Sequence, residues 1–275
     1  MKFGFIFPAY GQYCDSDLAA KAAIEAETAG FDSFLVWDHY MLPWGNETFD
    51  AWLLLSHLAS LTKTIKLGTC VTPLPFRSPS QLAKIVATLD HLSKGRVILG
   101  VGAGWHKPEF DGYSLWENDA TRVSMVEESL ELMIKLWTKD KVTHEGRFYS
   151  VKDAILLPKP IQKPRPTIWF GTQGSRMTRM MVKYGDGWIP VGLSPRDFYS
   201  GVQRAKGIPT NNQLDREFVF AHDANIQENE RKYSESIEEF RDSGCNYYAV
   251  AWEYPREEFI NRIKWFAETI IPSFS

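Results

Sequence analysis

The stretch SPSQLAKIVATLDHLSKGRVILGVGAG, residues 78–104, decides the fold. Ser78 followed by Pro79 reads as a helix start: a hydroxyl that can cap the first turn, then a proline where no N–H is needed. Leu82, Ile85, Val86, Leu89 and Leu92 recur at helical spacing, and Gly95 closes the helix. Arg96-Val-Ile-Leu-Gly-Val101 follows at once as an unbroken apolar run. A strand with one wet face alternates, whereas one covered on both faces does not, so this run predicts a parallel strand.

The same strand-and-helix unit recurs on both sides, at the roughly thirty residues such a unit needs. Upstream lie the apolar runs Lys2–Phe7, Ser33–Trp37 and Ile65–Val71. Between them, one helix is capped near Asp15 or Ser16 and stopped by Gly30, and another covers Phe49–Leu61. Downstream come Thr167–Phe170, Gly187–Val191, Glu217–Ala221 and Asn246–Ala251, with a last helix over Arg256–Ile271. Eight strands, each followed by a helix, predict an α/β chain forming one domain over residues 1–275, a (β/α)8 TIM barrel. An open doubly wound sheet is the alternative. The rhythm breaks between strands four and five, where two insertions flank a helix with Val123, Val126, Leu130, Met133, Ile134 and Trp137 on one face. One insertion is a loop from Trp105 to Asn118. The other, Asp140 to Pro166, reads as a hairpin at Gly146-Arg147 and then a Pro-rich extended segment. Long loops in compact barrels usually serve function, so both are expected to wall a pocket.

Composition narrows the function. A chain of 275 residues, 44% hydrophobic and 24% charged, can build one large core. A net charge of −3 with scattered basic residues argues against nucleic acid as a partner. No apolar run approaches a membrane span and the N-terminus carries no leader pattern, so no membrane partner is expected. The three cysteines are far apart, which fits a reducing compartment and predicts a cytoplasmic protein. The six histidines show no ligand spacing and no metal site is expected.

In a barrel of this kind the chemistry gathers at the C-terminal ends of the strands. There the sequence places Asp38-His39, Thr69-Cys70-Val71-Thr72, Gly102-Ala103-Gly104-Trp105-His106 and Gly171-Thr172-Gln173-Gly174-Ser175. His39 can give or take a proton near neutral pH, with Asp38 beside it as an orienting carboxylate. The bland alternative is that Asp38 caps a loop and His39 packs under Trp44. The two glycine-rich turns admit close approach of an anion, and Ser175 opens a helix whose N–H groups can face a phosphate. Phe7, Trp37, Trp44, Cys70, Trp105 and Trp169 are expected to line an apolar mouth.

At these residues the chain resembles the bacterial luciferase-like superfamily, and within it the branch of oxidoreductases that use coenzyme F420. The resemblance covers nearly the whole chain. It rests on Gly30-Phe31-Asp32-Ser33, Trp37-Asp38-His39, Leu67 to Thr72, Gly100 to His106 through Glu109-Phe110, Pro158-Lys-Pro160, Pro164-Arg-Pro166, Gly171 to Gly174 and Tyr184 to Trp188. It implies hydride transfer between F420 and a small organic substrate. The alternatives are an FMN-dependent monooxygenase and a barrel that binds flavin or F420 without turnover. It also implies a cis peptide bond between Cys70 and Val71 supporting the ring. Asp38, Thr69, Thr72 and His106 would join the cofactor site. Ala103, Gly104, Gly171, Thr172, Gly174 and Ser175 would take the phosphate side. His39 matches the proton donor of relatives that oxidise a sugar phosphate, although those carry a glutamate where this chain has Trp105. Pairing of relatives through the second and third helices implies a homodimer.

Overall fold

The first strand, β1 (Lys2–Phe7), leads into helix α1 (Ser16–Thr28), and β2 (Ser33–Val36) into α2 (Ala51–Leu61). Both helices begin as their sequences demand: the Asp15 carboxylate accepts the N–H of Leu18 at 2.8 Å, and Asp50 accepts that of Leu53 at 3.0 Å. The third run divides into β3 (Lys66–Thr69) and a short β4 (Thr72–Pro73), followed by α3 (Pro79–Leu92) and β5 (Val97–Gly102). Pro79 does open α3, but Ser78 does not cap it. Its Oγ faces that of Ser80 at 3.2 Å. Gly95 ends the connection at φ +84°, a left-handed conformation that costs glycine little.

The interval after β5 holds α4 (Lys107–Tyr113), where only a loop was expected, and α5 (Asp119–Thr138), capped by Asn118. Next come the antiparallel hairpin β6 (Val142–Glu145) and β7 (Ser150–Ala154), at the expected place. The rest alternates again: β8 (Thr167–Phe170), α6 (Ser175–Tyr184), β9 (Gly187–Trp188), α7 (Pro195–Lys206), β10 (Glu217–Ala224), α8 (Glu230–Asp242), β11 (Tyr247–Trp252) and α9 (Arg256–Thr269). The computed structural model describes residues 1–45, 47–210, 217–224 and 229–274.

Apart from the β6-β7 hairpin, the described strands form one mostly parallel, curled sheet in a mixed α/β fold. Its order is β3-β2-β1-β11-β10-β9-β8-β5-β4, and β3 also pairs with β5 through Leu67–Val97 and Gly68–Ile98. Apolar side chains separate into two shells. Ile6, Leu35, Ile98, Trp169, Ile189, Val219 and Tyr247 cluster on the concave side, while the larger cluster packs the convex side against the helices. Strands buried on both faces account for the unbroken apolar runs. They also explain two corrections. Phe7 points outward, stacked on Phe34 at 5.6 Å and edge-on to Phe259, so it does not line the mouth. Trp169 points inward but is fully buried against Tyr247 at 5.0 Å, below the mouth. Among the described residues no helix is long and apolar enough to cross a membrane.

Candidate active site

A cavity of about 740 Å³ opens where the parallel strands end. Val71 shapes one wall. The Cys70–Val71 peptide bond is cis, and the chain returns to pair at β4 with Val101 and Gly102 of β5. Glycines make room for this detour. A Cβ at Gly100 would stand 1.9 Å from the Thr69 carbonyl oxygen, and one at Gly102 or Gly171 would stand 2.8 or 2.9 Å from Val71 methyl groups. Any side chain there forces backbone or Val71 to move.

His39 lines this cavity, and its partner is a carboxylate seventy positions away in sequence. The ring Nδ1 lies 3.0 Å from Oε2 of Glu109, in the first turn of α4. Glu109 is 1% exposed, and its Oε1 accepts the backbone N–H groups of Tyr40 and Met41. Burial pushes the Glu109 carboxyl up, yet the hydrogen bond and charge of His39, with the two N–H groups, hold it below its usual range. An ionised carboxylate only accepts, so Nδ1 carries the hydrogen and Nε2 is left to exchange a proton.

Asp38 is turned the other way. It is 3% exposed and does not line the cavity. Oδ2 accepts from Trp52 Nε1 at 3.2 Å, Thr72 Oγ1 at 2.8 Å and Arg77 Nε at 3.1 Å, while Oδ1 accepts from Arg77 Nη2 at 2.6 Å. Thr72 Oγ1 also lies 3.0 Å from Thr69 Oγ1, which donates to the Gly100 carbonyl at 3.1 Å. His39 is held by Glu109 and not by Asp38, which corrects the expectation that Asp38 orients it; Asp38, Thr69 and Thr72, expected to join the cofactor site, do not line the cavity. All three are buried behind the wall, their polar atoms consumed by one another and by Arg77. Burial pulls the guanidinium of Arg77 down, but the charges of Asp38 and Asp50 raise it further.

Cys70, Val71, Ala103, Gly104, Gly171, Thr172 and Gly174 do line the cavity. His106 and Ser175 do not line it: the His106 ring lies 5.1 Å from that of Trp105, and Ser175 is the exposed first residue of α6. Gly174 stands before α6 with no side-chain cap, so bare backbone and a helix N-terminus face this end of the cavity. Gly104 takes φ +79°, and a Cβ there would meet the Phe110 ring at 2.6 Å.

Sequence reasoning missed two residues. Glu109 sits just after Lys107-Pro108 at the start of a helix, where an acidic residue ordinarily answers the helix dipole in water. Arg122, which lines the cavity, donates to the Ala103 carbonyl at 3.2 Å, to the Glu117 carbonyl and to Asp119 at 2.8 Å. It ties α5 to the glycine turn after β5. Its signal was faint: one arginine on a helix face otherwise read for its apolar stripe.

The comparisons follow the same geometry. Residues 4–266 match the model of the luciferase-like monooxygenase family. The chain belongs to that family. An uncharacterised protein of Mycobacterium tuberculosis is 32% identical over 196 residues, covering 65% of this chain and 68% of its own. The F420-dependent glucose-6-phosphate dehydrogenase of Microbacterium testaceum is 34% identical over 179 residues, 64% of this chain. This chain spans only 52% of that relative's length. Among solved structures, an F420-dependent secondary alcohol dehydrogenase in complex with an F420-acetone adduct superposes with a TM-score of 0.82 at 22% identity. It covers 100% of this chain and 99% of its own. At that identity the likeness concerns the family's fold.

Proposed function

We propose that this chain is an F420-dependent oxidoreductase acting on a small organic molecule, and that its curled sheet is the (β/α)8 barrel of the luciferase-like family with insertions after the fourth strand. The observation that carries the reading is the His39–Glu109 pair on the wall of a cavity that is also lined by the glycine turns Gly102–Gly104 and Gly171–Gly174. The cavity fits the group: it has the several-hundred-Å³ size of a cofactor site. It has an apolar floor at Cys70-Val71, Ile6 and Ile189, and a helix N-terminus suited to a phosphate. Coenzyme F420, when bound, supplies the exchange of a hydride with the substrate.

The protein's residues do the rest. Cys70 and Val71 present a backbone ledge for a flat ring. Gly102 to Gly104 and Gly171 to Gly174 leave space for the tail, and Arg122 holds the first of these turns in place. Glu109 fixes the His39 tautomer, so Nε2 gives a proton to, or takes it from, the reacting oxygen. The homodimer is proposed on the exposed Leu53 of α2 and Ile85 and Leu92 of α3.

Fluorescence titration of the purified protein with F420 and with FMN tests the reading. F420 is expected to bind in the micromolar range or tighter, and FMN at least tenfold more weakly. Tighter FMN binding moves the chain to the monooxygenase reading, and binding of neither ends both.

A further inference from the structure

The segment that follows the β6-β7 hairpin, residues 154–163, lies against α3 and is held there by hydrogen bonds. The Leu157 carbonyl accepts from Lys84 Nζ, and the Lys159 carbonyl lies 2.8 Å from Nε2 of His91. Gln162 gives its backbone N–H to the buried Asp90 at 2.9 Å. Lys159 Nζ donates to the carbonyl of Leu136 at 2.8 Å and to that of Lys139, at the C-terminal end of α5. Leu156 and Pro160 are buried, yet Ile155, Leu157 and Ile161 are 63%, 62% and 45% exposed. Neighbours in an extended chain point to opposite sides, so burying Leu156 turns Ile155 and Leu157 to water together. Ile161 continues the row beside Gly95, where a Cβ would meet its Cγ2 at 3.5 Å. A partner that covers these aliphatic side chains is stabilised by the water it releases.

The charge of this strip runs against that of the chain, whose net charge is −3. Residues 79–94 and 154–163 carry Lys84, Lys94, Lys159 and Lys163, and their one carboxylate, Asp90, is buried. Lys84, Lys94 and Lys163 are exposed. Lys84 and Lys163 donate to the carbonyls of Leu157 and Pro160, which leaves each ammonium charge uncompensated.

The residue types discriminate between partners. Protein interfaces are enriched in aromatic residues, methionine and arginine and depleted in lysine. These two stretches hold no aromatic residue, methionine or arginine. A second copy seated on the strip across a two-fold axis sets lysine against lysine. An anionic leaflet instead takes aliphatic side chains into its headgroup boundary and attracts each lysine, whose stem lies along apolar surface.

We propose that residues 154–163, with Lys84 of α3 and Lys94 just after it, are a peripheral docking surface for an anionic lipid bilayer. Such a contact is made from outside and needs no spanning helix. The exposed Ile85 and Leu92, proposed above for pairing, are not part of it. None of its residues lines the cavity, so it stands or falls separately from the cofactor reading.

Co-sedimentation with extruded vesicles tests this, using phosphatidylcholine alone and phosphatidylcholine with about 30% phosphatidylserine. Binding to the anionic vesicles is expected to be tighter by about tenfold or more, and to weaken when salt is raised to about 0.5 M. Lys84→Gln with Lys163→Gln should weaken it about 25-fold, since each lysine near such a surface is worth about fivefold. Leu157→Ser with Ile161→Ser should weaken it about tenfold. Both pairs keep the buried Leu156 and Pro160 and should melt where the unaltered protein does. Equal binding to both vesicles, binding to neither, or anionic binding that survives either pair of substitutions overturns the proposal. Self-association that is lost in the serine pair by sedimentation velocity, without vesicle binding, gives the strip to a second copy and overturns it too.

Discussion

Asp38 and His39 are neighbours in sequence and opposites in the molecule. Asp38 has both oxygens taken by Arg77, Trp52 and Thr72 behind the cavity wall. His39 has one ring nitrogen held by Glu109 and the other unclaimed by that pair, on a ring that faces the cavity. A titratable group whose hydrogen-bonding capacity is spent inside the fold stabilises; one that is half-held and facing a cavity can exchange a proton. The two sites therefore predict opposite losses.

The widest gap is expected for His39→Ala. F420-linked turnover should fall about 100- to 10,000-fold, the range for a lost general acid, while F420 still binds. Turnover within a few-fold of the unaltered protein would remove the distinction. Asp38→Ala should fail in the other way, losing about 3–5 kcal/mol of unfolding free energy in urea because Arg77 is left with a buried, half-compensated charge. A normal denaturation midpoint with selective loss of F420 affinity would put Asp38 back on the ring.

Glu109→Gln sharpens the comparison. Losing the charge that fixes the tautomer should cost roughly 10- to 100-fold in the same turnover, less than loss of the imidazole itself. The pH dependence of stability gives a second readout. Because the folded Glu109 carboxyl sits below its usual range, its stabilisation is complete above the unfolded value near about 4.3 and is lost as pH falls through the folded one. Melting temperatures should fall less steeply in Glu109→Gln as the pH drops below about 4.3.

The smallest effect is expected at Tyr40, whose hydroxyl donates to Asp50 at 2.8 Å. Burial, aided by that bond and opposed by Arg77, pushes this phenol up to about 12. Its contribution is complete below the unfolded value near about 10 and is lost as pH rises through the folded one. Tyr40→Phe should cost about 1 kcal/mol at neutral pH and flatten part of the alkaline loss of stability. An unchanged alkaline limb would show that the phenol does not contribute.

Much of the scaffold was legible because hydrophobic periodicity is local. Runs such as Lys2–Phe7 and Thr167–Phe170 coincide with their strands, and Asp15, one of the two cap candidates read from the sequence, caps the helix that follows it. Unbroken apolar strands hide which face looks inward, which is why Phe7 was placed at the mouth and lies outside it. Glu109 was hidden for a different reason. Its pairing with His39 depends on how α4 folds back over the second strand's end, and no spacing along the chain records that. Asp38 misled because adjacency in sequence resembles adjacency in space, whereas consecutive residues of an extended chain point to opposite sides.

The central claim is that a flat ring rests on Cys70-Val71 with His39, not Asp38, facing it. A crystal structure of the protein with F420 bound tests this directly. The account predicts the ring against that ledge, its tail between the Gly102–Gly104 and Gly171–Gly174 turns, and His39 Nε2 open toward the ring. A ring seated elsewhere, or one contacted by an Asp38 carboxylate released from Arg77, would contradict it.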